Sequence, residues 1–211
     1  MTSTRSFVRR AILVASAVTA ALVLAACGNG NSDGSGSAAQ TSAAATAEST
    51  AGAHNGQDLS FAQGMIPHHQ QAIQMAKTAA TQASSAEVKD LASRIEKAQA
   101  PEIETMSGWL ESWGEDVPSS MPGMDHSGHS GSSDTPGMMS TKDMDELMKA
   151  SGTDFDEMFL TMMVGHHEGA VEMATAEKGK GQYGPAKKMA EDIITAQNAE
   201  IEEMNKLLGK S

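Results

Sequence analysis

The chain has 211 residues and a formal charge of −12, with 27 acidic residues against 15 basic ones, a balance that argues against nucleic-acid binding through a basic surface. Its one cysteine, Cys27, allows no intramolecular disulfide and no thiolate metal site. Soft-metal chemistry would therefore fall to methionine, of which there are 16, in a chain only 3% aromatic.

Arg5, Arg9 and Arg10 precede an apolar run from Ala11 that ends in Leu-Ala-Ala-Cys at Leu24 to Cys27. The run is short for a membrane span, and small residues stand before the cysteine, the pattern of an export signal. It resembles a bacterial lipoprotein signal, which implies removal of residues 1–26 and lipidation of Cys27. The chain is thus expected at the cell membrane, on its extracytoplasmic face. Loss of the three leader arginines would take the charge from −12 to −15. Residues 27–57 are Gly, Ser, Ala, Thr and Asn with almost no large apolar side chain, too little to fold. They read as a tether of roughly 30 Å reach. His54 falls inside it and is assigned no role.

Residues 58–211 read as one domain built from an internal repeat. His166 lies 98 residues after His68, and His167 lies 98 after His69. The same offset, without a gap, matches Asp58 with Asp156, Phe61 with Phe159, Met65 with Met163, Ile95 with Ile193, Gln99 with Gln197, Glu102 with Glu200 and Met106 with Met204. Repeat one spans 58–113, a Met/His-rich linker 114–153, and repeat two 154–211.

Each repeat carries two helical patterns. The first helix is predicted from near Asp58 to Ala83 and the second from Ser85 to Trp113, with Ser84 and Glu87 as a capping box. In repeat two, one helix is predicted from near Asp154, capped with help from Glu157, to Gly179, and the last from Pro185 to Gly209. A short helix is predicted at 142–150 in the linker. Pro67 and Pro101 should kink or break their helices. A single hairpin leaves an apolar stripe uncovered, so the pair is predicted to form an all-α four-helix bundle.

The helix faces carry the chemistry. At 100° per residue from Met65, His68 falls at about −60° and His69 at about +40°, flanking the buried stripe with Met75, while Gln70, Gln71 and Gln74 fall opposite. Met163, His166, His167 and Met173 repeat the arrangement. On the second helix of each repeat, Glu102 and Glu200 lie on apolar stripes beside Met106 and Met204. A buried carboxylate needs a partner, and the histidines are the nearest candidates by symmetry. Imidazole suits copper, zinc and iron, and thioether sulfur favours Cu(I), so the set Met65, His68, His69, Glu102, Met106, Met163, His166, His167, Glu200 and Met204 points to copper, or silver, ahead of zinc or iron. The glutamates could ligate, or could fix a histidine tautomer through its other ring nitrogen. Met121, Met124, His126, His129, Met138 and Met139 form a second potential soft-metal segment in the linker.

The doubled MIPHHQQAIQMA and MMVGHHEGAVEMA, with PGMMS and FDEMFL before the second copy, resemble the domain of unknown function 305 family. The resemblance implies a ferritin-like bundle, export, and kinship with periplasmic copper-binding members. It makes Met65, His68, His69, Met163, His166 and His167 the motif positions. The expected function is an extracytoplasmic copper-binding lipoprotein that sequesters the ion or passes it to another envelope protein. Two other readings stay open. A ferritin-like dinuclear oxidoreductase is one, although Glu-x-x-His occurs nowhere in the chain. The other is a metal-free envelope interaction protein whose histidine–glutamate network only specifies packing.

Overall fold

The structure, a computed structural model, describes residues 52–119 and 135–210. The leader, Cys27, most of the tether, and Met121, Met124, His126 and His129 lie outside the described residues. Five helices follow in order: α1 Gly56–Gln82, α2 Ala86–Trp113, α3 Thr141–Lys149, α4 Gly152–Lys180 and α5 Gly184–Leu207. None of them is long and apolar enough to cross a membrane.

The helix starts differ in detail from the sequence expectation. Asn55 caps α1, its side chain accepting from the Gln57 and Asp58 amides while Asp58 returns a bond to the Asn55 amide. Ser85, not Ser84, caps α2 by accepting from the Val88 amide. Ser84 is taken instead by Asp156 of the other hairpin, through its amide (3.1 Å) and its hydroxyl. Glu157 completes no cap, since Ser151 makes no side-chain bond at the start of α4. Neither proline breaks its helix: α1 runs through Pro67 and α2 through Pro101. Each proline forfeits one ladder bond, and the fully buried neighbours Met65 and Ile66 before Pro67, and Ile95 and Met106 around Pro101, supply packing that offsets it.

α1 packs against α2 and α4 against α5; the two hairpins meet through α1 and α4, while α2 and α5 touch only slightly. The architecture is an all-α bundle of two repeated hairpins, with α3 added against α1 and α4. Its interior is divided. One apolar cluster contains Phe61, Met65, Ile66, Met106, Leu110, Ala170, Ala174 and Ile193. The other contains Ala72, Met75, Leu91, Ile95, Phe155, Phe159, Met163 and Met204, with Met144 and Leu147 of α3. Along α1 the first cluster ends at Ile66 and the second begins at Ala72. Along α4 the order is reversed, so the central helices run antiparallel and both histidine pairs fall at the boundary between the cores.

Candidate metal centre

His68, His69, His166 and His167 are all completely buried. Within a pair the rings splay, with centroids 6.5 Å apart for His68 and His69 and 6.4 Å for His166 and His167. Across the bundle His68 and His166 face each other at 3.7 Å, tilted by 39°. The remaining two rings turn to the carboxylates of their own hairpins: His69 Nε2 is 2.8 Å from Glu102 Oε2, and His167 Nε2 is 2.7 Å from Glu200 Oε2. The two members of each pair therefore do different things, although the helical wheel placed them almost evenly about the stripe.

Hydrogen bonding settles which nitrogen is open. A carboxylate or carbonyl oxygen only accepts, so Nε2 of His69 and of His167 carries the hydrogen. The same holds for His68, whose Nε2 donates to the Pro136 carbonyl at 3.1 Å. In the neutral ring this leaves Nδ1 with the lone pair. Burial, reinforced by the charge His69 would carry and opposed by the Pro136 carbonyl, pushes His68 down to about 3. Burial, then His68, His167 and His69, holds His166 well below the ordinary histidine value. Both rings are neutral at pH 7.

Among the described residues, Nδ1 of all four histidines and Nε2 of His166 have no hydrogen-bond partner. A buried polar atom left unpaired costs about 1–3 kcal/mol, so five in one place mark a site shaped for something other than itself. The donor set fits a soft cation: neutral imidazole lone pairs, with two carboxylates close by to balance the charge. It does not form a ready-made cage, because no three His, Cys, Asp or Glu side chains among the described residues are gathered closely enough to hold one ion. Two facing imidazoles suit a low-coordinate soft ion better than zinc, which takes four ligands.

The sulfurs divide between the cores. Met65 and Met106 are fully buried in one cluster, and Met163 and Met204 in the other. Met65 stands one turn before His68, and Met163 one turn before His166. Of the linker ligands, Met138 and Met139 are half-buried, and Met139 packs on the second core. Gln71 does not face solvent as the wheel suggested. It is buried, and its amide binds the Met139 main chain in both directions, Nε2 to the carbonyl oxygen at 2.9 Å and Oε1 from the amide at 2.7 Å. Gln99 and Gln197, one turn before the two glutamates, are also buried. Their exact match in the repeat was a signal that could have flagged them. Nothing local could have flagged Pro136 or Gln71. Outside the centre, His54 stacks on Trp113 at 4.2 Å, so it has a packing contact where the sequence assigned it none.

Fold and centre together define a class, a duplicated four-helix bundle with a layer of buried imidazoles between two cores. The profile of the family described as domain of unknown function DUF305 matches residues 58–208, and the chain belongs to that family. Among solved structures it is similar to a putative secreted DUF305 protein from Streptomyces coelicolor, at 31% identity over 73% of this chain and 93% of that one, with a TM-score of 0.64. It is also similar to CopM in the Cu(II)-bound form, at 36% identity over 71% and 94% of the two chains, with a TM-score of 0.59. CopM in an Ag-bound form obtained by co-crystallization gives 34% identity over 71% and 93%, with a TM-score of 0.57. The comparison with curated proteins gives no match.

Proposed function

We propose that this protein binds copper, by preference as Cu(I), or silver, outside the cytoplasmic membrane, and that it stores the ion or passes it on rather than catalysing a reaction. The observation that carries the reading is the set of five unpaired ring nitrogens in the sealed histidine layer, and the copper- and silver-bound CopM relatives support it. His68 and His166 are the facing ligands. His69 and His167, oriented by Glu102 and Glu200, keep Nδ1 open and close on the ion by a shift from this arrangement; the two carboxylates offset its charge. Met65, Met106, Met163 and Met204 supply sulfur from either side and bias the centre toward Cu(I). The linker residues Met121, Met124, His126, His129, Met138 and Met139 capture ions weakly and exchange them with an envelope partner. Cys27 carries the lipid that keeps the protein at the membrane surface.

The test is anaerobic Cu(I) titration of the mature chain against a chromophoric chelator, repeated with Ag(I). Replacing His68, His69, His166 and His167 by alanine should abolish the tight component, and deleting the linker ligands should remove only a weak one. Unchanged stoichiometry after both changes would reject the reading.

A further inference from the structure

The histidine layer is closed, every ring having zero exposure, so no ion reaches it unless something moves. Long helices surround it. Among the described residues, the only non-helical piece bonded to one of its rings is the stretch Thr135–Met139, through Pro136 and His68. Three further features seat this stretch. Gln71 grips the Met139 main chain with two hydrogen bonds. A turn bond joins the Met138 amide to the Thr135 carbonyl at 3.3 Å. Gly137, at φ +76°, lies so close to α4 that an added Cβ would come within 2.7 Å of the Gly165 carbonyl oxygen and 2.9 Å of that of His166.

The repeat makes the arrangement informative. Gln71 and Gly169 are matched positions, 98 residues apart. The first grips the stretch; the second makes room for it, since a Cβ on Gly169 would stand 2.2 Å from the Pro136 carbonyl oxygen. A two-fold bundle thereby receives a one-sided cover. The cover occupies Nε2 of His68 and leaves both nitrogens of its counterpart His166 unpaired.

We propose that Thr135–Met139 is a strap that positions His68 and gates ion exchange at the centre, with Gln71 as its latch. The gating half rests on the metal-binding reading above; the positioning half does not. With the strap seated, His68 is held as the Nε2–H tautomer and can offer only Nδ1. Uptake and release wait on the latch opening, and the two halves of the centre are inequivalent despite their common sequence.

The test uses the mature chain with Gln71→Ala, Gln71→Glu and Gly169→Ala. In the ion-free protein, the ¹⁵N imidazole spectrum should assign His68 as Nε2–H, and the Met139 amide should exchange slowly. Loss of two hydrogen bonds in Gln71→Ala should speed Met139 exchange roughly tenfold or more. Cu(I) release to an excess chromophoric chelator should rise in parallel, with little change in equilibrium affinity. Gln71→Glu keeps the acceptor for the Met139 amide and should fall between. Gly169→Ala should lift the strap without touching the latch, scrambling the His68 tautomer while His69 and His167 keep theirs. An Nδ1–H tautomer at His68 in the native chain would overturn the positioning role. Unchanged Cu(I) release in variants whose Met139 amide exchanges faster would overturn the gate. Absence of any Cu(I) binding would remove the functional reading and the gate together, with the tautomer still deciding whether the strap positions His68.

Discussion

Glu102 and Glu200 keep 23% and 15% of their side-chain surface and each spends an oxygen on a histidine. Charge and orientation are separable in that pair. Glu102→Gln retains an oxygen that can accept from His69 Nε2 but removes the negative charge, so the tautomer should survive and Cu(I) affinity should fall about 10–100-fold, as read by chelator competition. Glu102→Leu removes the acceptor as well and strands a buried N–H, so the ion-free protein should lose about 1–3 kcal/mol in urea unfolding. That these glutamates would face histidines was legible in the sequence, because a carboxylate centred on an apolar stripe demands a partner and the repeat offered one. The assignment of Gln71 to the solvent side was not sound. A wheel gives the angle of a side chain but not what covers it, and the cover comes from a segment 68 residues away.

The hairpins hold each other by an exchange of aspartates. Asp156, in the first turns of α4, accepts from Ser84 and Ser85 at the turn between α1 and α2. Its counterpart Asp58 accepts from the Gln182 and Tyr183 amides at the turn between α4 and α5. These partners obey the same 98-residue offset. Asp58 is fully buried and Asp156 is not, so Asp58→Ala should cost about 3 kcal/mol and Asp156→Ala about 1 kcal/mol in urea unfolding. The symmetry fails at Glu177, a buried carboxyl that matches Ala79 of the first repeat. Burial, and then proximity to the Asp58 carboxyl, pushes Glu177 up to about 8. Asp58 itself is held below the usual range: burial works against ionisation, but the donors of Asn55, Tyr183 and Gln182 and the acid of Glu177 outweigh it.

The native state therefore keeps a proton on Glu177 that the unfolded chain releases above the ordinary glutamate value of 4.5. Stability should fall as pH rises from about 4.5 to about 8 and then level off. Glu177→Gln should abolish that fall and be the more stable protein at pH 9, measured as urea midpoints across the range. His68 and His166, both held below the ordinary histidine value, contribute the opposite slope below pH 6.5, but they are common to both proteins and cancel in the difference. An acidic residue three positions after Ala174 on a buried stripe, opposite an alanine in the other repeat, was the available sequence signal.

The gapless repeat made the bundle and its two-fold relation readable before any coordinates. Of the unrepeated part, α3 was legible from its own pattern at 142–150, but the strap was not, and it is the strap that makes one half of the centre unlike the other. Between two apolar cores, the imidazole layer is where the molecule gives up stability, since each unpaired nitrogen forgoes a hydrogen bond it would have in water. A cation that binds only the native arrangement should recover that loss. At a free ion concentration 100 times Kd the gain is about 2.7 kcal/mol, which for a domain of this size raises Tm by about 5–10 °C. Calorimetry of the protein under anaerobic Cu(I), or with Ag(I), should show that rise. The chain with all four histidines replaced by alanine should show none, because its remaining sulfurs lie in separate cores. An equal rise in both proteins would place the ion elsewhere and leave the histidine layer as a packing device.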